Sequence, residues 1–275
     1  MAYVAPPVVL SLASSPVVER YDLSSLRMIM SGAAPLSSDL IGRLYEKLNI
    51  PLRQGYGLTE TSPAAFSQTW ADWDEAIGSV GKLVPNMQAR YMTLGDDGNP
   101  LSELRLGETG EIYLRGPNIS QGYHNNPEAT NQALTADGWF RTGDIGHQDA
   151  KGNLFITGRA KDMIKYKGFQ IAPDELEQIL LSHEAVADVA VVGIREGQGK
   201  GEVPRAFILP NSSLPSNGEQ DAERIIAWVD SKVAPYKRLR GGIRFVESIP
   251  RNASGKILRR VLREQEQKSM IRSKL

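Results

Sequence analysis

Apolar positions recur along this chain with more than one period, and each period predicts a different kind of element. Leu26-Arg27-Met28-Ile29-Met30 is a short run suited to a buried strand, closed by Ser31-Gly32-Ala33-Ala34-Pro35. From Ser38 the period becomes helical, with Leu40, Ile41, Leu44 and Leu48 on one face. Pro51-Leu52-Arg53-Gln54-Gly55 predicts the next strand, running into Gly55-Tyr56-Gly57. The result is a parallel α/β unit with a loop after each strand, at the end where open α/β sheets hold ligands.

From Gly78 to Ile156 the texture changes to short strands with Gly, Asp and Asn turns. Strands are predicted over Gln88–Leu94 and Glu111–Arg115, around Gly95-Asp96-Asp97-Gly98. A hairpin is predicted at Asp149-Ala150-Lys151-Gly152-Asn153. This stretch is expected to be an antiparallel β subdomain. After Gly158 a small α+β unit is expected. Pro173 suits a first helical turn, Asp174 and Glu175 its positive end, and Leu176, Ile179 and Leu180 its inner face. Strands Val186–Val192 and Val203–Leu209 follow, then a helix around Ala222–Val233, a strand at Ile243–Val246 and a basic helix from Ile257.

Composition narrows the function classes. The 275 residues carry 32 Lys+Arg and 32 Asp+Glu, so no global field attracts nucleic acid or an acidic membrane. No apolar run is long enough to predict a transmembrane helix. With no Cys, disulfides, thiolate zinc sites and cysteine nucleophiles are excluded, and His124, His147 and His183 are too scattered for a metal cluster.

Several segments carry candidate chemistry. Tyr56-Gly57-Leu58-Thr59-Glu60-Thr61 combines glycines that admit a close ligand, hydroxyls for phosphate oxygens and a carboxylate for Mg²⁺. It also reads as a plain strand-to-loop turn. Trp139-Phe140-Arg141-Thr142-Gly143-Asp144 places an Asp in a glycine turn, where it can meet ribose hydroxyls or simply a turn amide. Arg159, Lys161, Lys165 and Lys167 concentrate cations at the expected domain junction, suiting a polyphosphate or a solvated loop. Pro250-Arg251-Asn252-Ala253-Ser254-Gly255-Lys256 presents one lysine before a helix, a point charge able to meet an acyl phosphate. Gly78-Ser79-Val80-Gly81-Lys82-Leu83 lacks the spacing and the hydroxyl of a phosphate-binding P-loop.

The order of these segments is informative. Ser31–Leu36, QGYGLTE (54–60), GETGEIYLRGPNISQGY (107–123), DGWFRTGDIG (137–146), GRAKDMIKYKGFQIAPDELE (158–177) and PRNASGKILRR (250–260) resemble the core motifs of adenylate-forming ligases, plant-type 4-coumarate:CoA ligases and luciferases above all. The resemblance covers essentially the whole chain. It implies an α/β plus α+β fold, with 1–158 the end of a large domain (parallel α/β sheet and antiparallel β subdomain) and 159–275 a small, mobile C-terminal domain.

It also implies an ATP-dependent acid–CoA ligase using ATP, Mg²⁺ and coenzyme A on a small carboxylic acid. Gly32, Ala33, Ala34, Gly55, Tyr56 and Gly57 would line the adenine and acyl pocket. Thr59 would bind the α-phosphate and Glu60 the metal, while Asp144 and Arg159 would hold the ribose. Lys161 would be the hinge, Lys256 the adenylation lysine, and Lys165, Lys167, Gly168 and Gln170 the loop that enters for thioester formation.

Family members are about twice as long and carry upstream a Ser/Thr/Gly-rich phosphate loop. The expectation is therefore a truncated form, with apolar surface exposed around Met28–Met30. A noncatalytic remnant or modulator of a full-length paralogue is the alternative, and an adenylation domain serving a carrier protein, or an oxygenating luciferase, a further one. Ser273-Lys274-Leu275 matches a receptor-read peroxisomal address, implying peroxisomal localisation and an import receptor as partner.

Overall fold

The computed structural model describes residues 1–34, 36–94, 100–195, 201–211, 218–252 and 255–272. Pro35, Gly95-Asp96-Asp97-Gly98, Ala253, Ser254 and the Ser273-Lys274-Leu275 address lie outside the described residues. The chain divides into two compact units, Met1–Thr157 and Gly158–Leu275.

The first unit begins β1 (Ala2–Val4), α1 (Pro6–Ser14), β2 (Ile29–Ser31), α2 (Ser38–Leu48), β3 (Leu52–Gly57). Strands β1, β2 and β3 pair in parallel, with Ile29 opposite both Ala2 and Leu52. Both connecting helices lie over one face: Val9 of α1 and Ile41 and Leu44 of α2 pack with Ile29 and Leu52. That is the outcome when successive crossovers share one hand. Ser37 caps α2 through its hydroxyl, which accepts from the Leu40 amide at 3.2 Å, and Asn49 ends it in the left-handed region at φ 52°. Leu44 is fully buried; truncation to Ala at such a site costs about 2–5 kcal/mol.

Two expectations for this region need correction. The strand expected at Leu26–Met30 starts later, at Ile29, because Leu26 is tied into a turn through its amide bond to Leu23 O. Met28 and Ile29 are fully buried, the latter between two strands and two helices, so of the three residues expected to expose apolar surface Met30 alone is partly accessible. The exposed large apolar side chains of this region include Met1, Tyr3, Val8 and Leu10, on β1, α1 and the residue before them, and Val17, Tyr21 and Tyr45 further on.

β3 changes partners midway. Leu52–Gln54 pairs in parallel with β2, whereas Gly55–Gly57 pairs antiparallel with β4 (Ala64–Ser67), which continues to β5 (Lys82–Leu83). Gly55-Tyr56-Gly57 is therefore strand rather than loop; the turn comes later, at Thr59–Ser62.

The rest of this unit is a five-stranded sheet from β6 (Gln88–Leu94), β7 (Pro100–Glu103), β8 (Gly110–Arg115), β9 (Phe140–Gln148) and β10 (Leu154–Arg159), in the order β10-β9-β8-β6-β7. The short helix α3 (Pro127–Ala133) precedes β9, capped by Asn126 with Pro127 in its first turn. Central β8 is buried on both faces. Ile112 and Leu114 join Phe66, Tyr91 and Leu154 in the core. Glu111 and Tyr113 face the other way, where Arg141 pairs with Glu111 at 3.1 Å and Arg90 and Arg141 lie over the Tyr113 ring. The hairpin expected at 149–153 joins β9 to β10, with Asp149 accepting from the amides of Lys151 and Asn153.

The second unit contains a hairpin, β11 (Ile164–Tyr166) and β12 (Phe169–Ile171), then α4 (Pro173–Leu181), β13 (Val186–Arg195), β14 (Glu202–Pro210), α5 (Gly218–Asp230), β15 (Ile243–Phe245) and α6 (Arg259–Arg272). β13 pairs antiparallel with β14, and β14 in parallel with β15. Both faces of this sheet are covered. Val189, Val191, Ala206 and Ile208 pack on α4 and α5 through Leu176, Leu180, Ile225 and Val229. Ala190, Val192, Ile194 and Phe207 pack on the other side with Leu262 of α6. Two-sided burial explains why β13 reads as a nearly continuous apolar run. Helix α6 starts two residues later than expected, because Ile257 is held in a bridge to Arg251.

Candidate functional site in two parts

In the first unit the candidate residues gather where β2 and β3 end. Parallel pairing sets Ser31 opposite Gln54, so the Gly32-Ala33-Ala34 turn lies beside Gly55. A Cβ on Gly32 would sit 3.5 Å from the Gly55 carbonyl oxygen, and Ala33 is left-handed at φ 73°. Gly57 has no room for a side chain: a Cβ would run into the Pro63 carbonyl. The glycines at the tail of β3 thus let neighbouring chain pack tightly against it, Met30 against Gly55 and Pro63 against Gly57.

Asp144 belongs to β9 rather than to a free turn. On β8, Glu111 and Tyr113 are two apart, but their partners Ile145 and Arg141 are four apart. The extra residues form a bulge at Thr142–Asp144, with Gly143 at φ 69°. Bulges re-aim side chains beside functional sites. Here the bulge turns Asp144 toward Tyr56, whose hydroxyl donates to Oδ2 at 2.7 Å. Asp144 is 4% exposed, and its backbone amide donates to the Thr142 hydroxyl. A fixed, buried acceptor thus stands beside the glycine-lined end of β3.

Thr59 and Glu60 lie on the short 3₁₀ turn after β3, Thr59 exposed and Glu60 half-buried. Glu60 accepts from the Tyr123 hydroxyl at 2.7 Å, and its carbonyl from the Ser120 amide at 2.8 Å. That hydrogen bond, with burial adding to it, pushes the Tyr123 phenol up to about 12. Sequence reading missed Tyr123 and also Asn118, whose amide donates to the carbonyls of Thr61 and Ala64 and fixes the turn. Both lie in the GPNISQGY segment, but neither has a local pattern that reveals a partner about sixty residues away. A lone carboxylate suits Mg²⁺, which keeps several waters and takes its other ligands from substrate phosphates. Glu60 fits that role, and no cluster of three or more His, Cys, Asp or Glu able to hold a metal occurs among the described residues.

Arg159, Lys161, Lys165, Lys167, Gly168, Gln170 and Lys256 belong to the second unit. Lys167 (φ 47°) and Gly168 (φ 82°) form the two-residue turn of the β11–β12 hairpin, both left-handed as such turns require. Lys165 and Gln170 are cross-strand partners, so their side chains share one face. Ile164 and Ile171 form the next pair, fully buried on the opposite face. This alternation presents Lys165 outward on a hairpin anchored by its inner face. Phe169 stacks on Tyr236 at 4.4 Å between ring centroids.

Arg159 leads into the 3₁₀ turn Ala160–Asp162, with its carbonyl accepting from the Met163 amide at 3.1 Å and Lys161 exposed. Lys256 closes the loop before α6: Asn252 accepts its amide at 2.9 Å and donates to its carbonyl at 2.9 Å. Lys165 and Lys256 therefore stand on separate elements of one unit.

Residues 1–124 match the family model described as AMP-binding enzyme, and residues 175–256 the model described as AMP-binding enzyme C-terminal domain. The chain belongs to the AMP-binding, adenylate-forming enzyme family. Among members of this family, it is 43% identical over 96% of its length to the probable 4-coumarate–CoA ligase 1 of Dictyostelium discoideum, covering 46% of that protein. It is also 43% identical, over 94% of its length, to the 4-coumarate-CoA ligase 1 of Narcissus pseudonarcissus, covering 46% of it. The chain thus spans about half the length of these AMP-binding relatives. ATP-bound MatB from Rhodopseudomonas palustris superposes with a TM-score of 0.85 at 30% identity, over 96% of this chain and 50% of that one. An anthranilate CoA ligase in complex with anthranoyl-AMP superposes with a TM-score of 0.81 at 31% identity, over 96% of this chain and 49% of that one.

Proposed function

We propose that this chain forms part of an ATP-dependent acid–CoA ligase that converts a small carboxylic acid to an acyl-adenylate and then to an acyl-CoA thioester. The observation that carries the reading is the convergence of the Gly32-Ala33-Ala34 turn and the end of β3 with a fixed, buried carboxylate, Asp144, joined through Tyr56 at 2.7 Å. The 4-coumarate–CoA ligase relatives and the ATP-bound and acyl-AMP-bound neighbours support the same chemistry.

A carboxylate is a weak electrophile. Attack of its oxygen on the α-phosphorus of ATP breaks the bond to pyrophosphate and leaves an acyl-adenylate. Gly32–Ala34 and Gly55–Gly57 take the adenine and acyl group, Thr59 the α-phosphate, and Asp144 and Arg159 the ribose hydroxyls. Glu60 would hold Mg²⁺, which when bound offsets the charge of the phosphates. Lys256 donates to the crowded oxygens of that transition state. A deprotonated CoA thiol then attacks the acyl carbonyl and AMP leaves, with Lys165, Lys167, Gly168 and Gln170 serving this second half and Lys161 acting as the hinge.

The test joins this chain to the upstream half of a 4-coumarate–CoA ligase. Lys256→Ala should lower acid-dependent pyrophosphate exchange by about 100-fold or more, while sparing thioester formation from supplied acyl-adenylate. Lys165→Ala should do the reverse. Equal losses in both half-reactions for either variant would refute the division of labour. We further propose peroxisomal import, on the Ser273-Lys274-Leu275 tripeptide.

A further inference from the structure

The second unit contains a buried charge cluster that the roles above leave unused. Arg259, the first residue of α6, is 9% exposed. Its guanidinium bonds Asp174, and also Glu177 at 2.7 and 2.8 Å, both on α4; its Nη1 lies 3.7 Å from Asp162. Its Nε donates to the Val191 carbonyl at 3.3 Å, while Glu177 Oε1 accepts from the Val191 amide at 2.7 Å. Arg259 and Glu177 together therefore satisfy both backbone groups of Val191 on the outer edge of β13, whose one strand neighbour among the described residues is β14.

The cluster's position in the sequence matters more than its strength. Asp162 follows Lys161 directly, and Arg259 stands three residues after Lys256. The Lys256 loop is closed at its base by the Arg251–Ile257 bridge and the Leu258 amide donating to Pro250 O at 2.8 Å. One side chain thus ties the turn that carries Lys161 to the root of the loop that carries Lys256. Only a planar fork with several donors can serve three carboxyl groups and a carbonyl at once.

We infer that Arg259 is a positioning residue: it locks the 160–162 turn to the root of the Lys256 loop, so that the two move as one body and Lys256 is presented in register for adenylation. The inference rests on the proposed ligase function, but its first test does not need catalysis. Amide hydrogen exchange is measured on the 275-residue chain, its Arg259→Lys variant and an Arg205→Lys control. Arg205 pairs with buried Glu266, which also takes Arg244 at 2.8 Å, so it anchors α6 elsewhere. Arg259→Lys should speed exchange at Met163 and at Asn252, Gly255 and Leu258 together, by about tenfold or more, the scale of one lost charged hydrogen bond. Arg205→Lys should leave the Met163 amide unchanged. Loosening of one segment alone, of neither, or of both equally in the control overturns the inference.

The second test uses the joined enzyme. Arg259→Lys should lower pyrophosphate exchange by about 100-fold, the cost of misplacing a reacting group by about an ångström, and leave thioester formation from supplied acyl-adenylate within about threefold. Equal loss of both half-reactions would mean a merely structural role. Absence of exchange in the joined enzyme before any substitution would refute the ligase reading, leaving the hydrogen-exchange result to decide the role of Arg259.

Discussion

Replacing Tyr56 by Phe removes one hydroxyl and little else. The ring keeps its place 6.3 Å from Phe66, centroid to centroid, against the core of the first unit. What is lost is the 2.7 Å donor to Asp144, a residue that is 4% exposed. Hydrogen bonds to charged groups contribute about 1.5–3 kcal/mol, and a buried acceptor does not recover that from bulk water. In a domain of about 150 residues each kcal/mol moves the melting point by about 2–4 °C, so the variant should melt about 3–12 °C lower. Scanning calorimetry reads the shift, and a double-mutant cycle with Asp144→Asn isolates the pair. Since Tyr56 also aims Asp144, ATP affinity measured by titration calorimetry on the joined enzyme should fall as well. A stability loss below about 0.5 kcal/mol, or full additivity with Asp144→Asn, would refute the claim that this bond organises the site.

Other expectations follow from single contacts. Gly57→Ala places a Cβ against the Pro63 carbonyl and 3.0 Å from Ala64 Cα, so it should destabilise the first unit by about 1–3 kcal/mol or more in urea unfolding. A neutral result would mean that the 57–63 turn yields freely. Burial and the neighbouring Asp174 raise the Glu177 pKa, against the opposing pull of Arg259. The folded state therefore holds this proton more tightly than the unfolded chain. The stability so contributed is full below the ordinary value of 4.5 and declines as pH rises through the raised folded value. The limiting slope is about 1.4 kcal/mol per pH unit for one proton. Glu177→Gln should flatten that slope in the second unit's unfolding, and an unchanged slope between about pH 5 and 7 would assign it elsewhere. For targeting, a fluorescent protein bearing the last dozen residues should collect in peroxisomes and lose that location without Leu275; diffuse signal from the intact tail would exclude the address.

Local signals determined much of this protein in advance. Helix α2 follows from the spacing of Leu40, Ile41, Leu44 and Leu48 behind a serine cap, and Pro173 with two acids marks the start of α4. Strand β13 announced itself as an apolar run, because both its faces are buried. The ordered motifs pointed to the family without any coordinates. Helix α3 was equally legible in Asn126-Pro127, a cap followed by proline, although the sequence reading assigned no helix there.

What the tertiary structure decided concerns partners far apart in sequence. Gly55–Gly57 reads as a loop until β4 comes to pair with it. Asp144 reads as a turn residue until β8 imposes the register that leaves a bulge in β9. Asp174 and Glu175 suit a helix start equally well. Only the arrival of α6 makes Asp174 a partner of Arg259, and only the 235–237 turn gives Glu175 its lysine, Lys237, at 2.6 Å. Periodicity records which face of an element is buried, because burial acts on every turn or every second residue. A single long-range hydrogen bond or ion pair leaves no repeat along the chain, so its partners become visible only when the elements that carry them are packed.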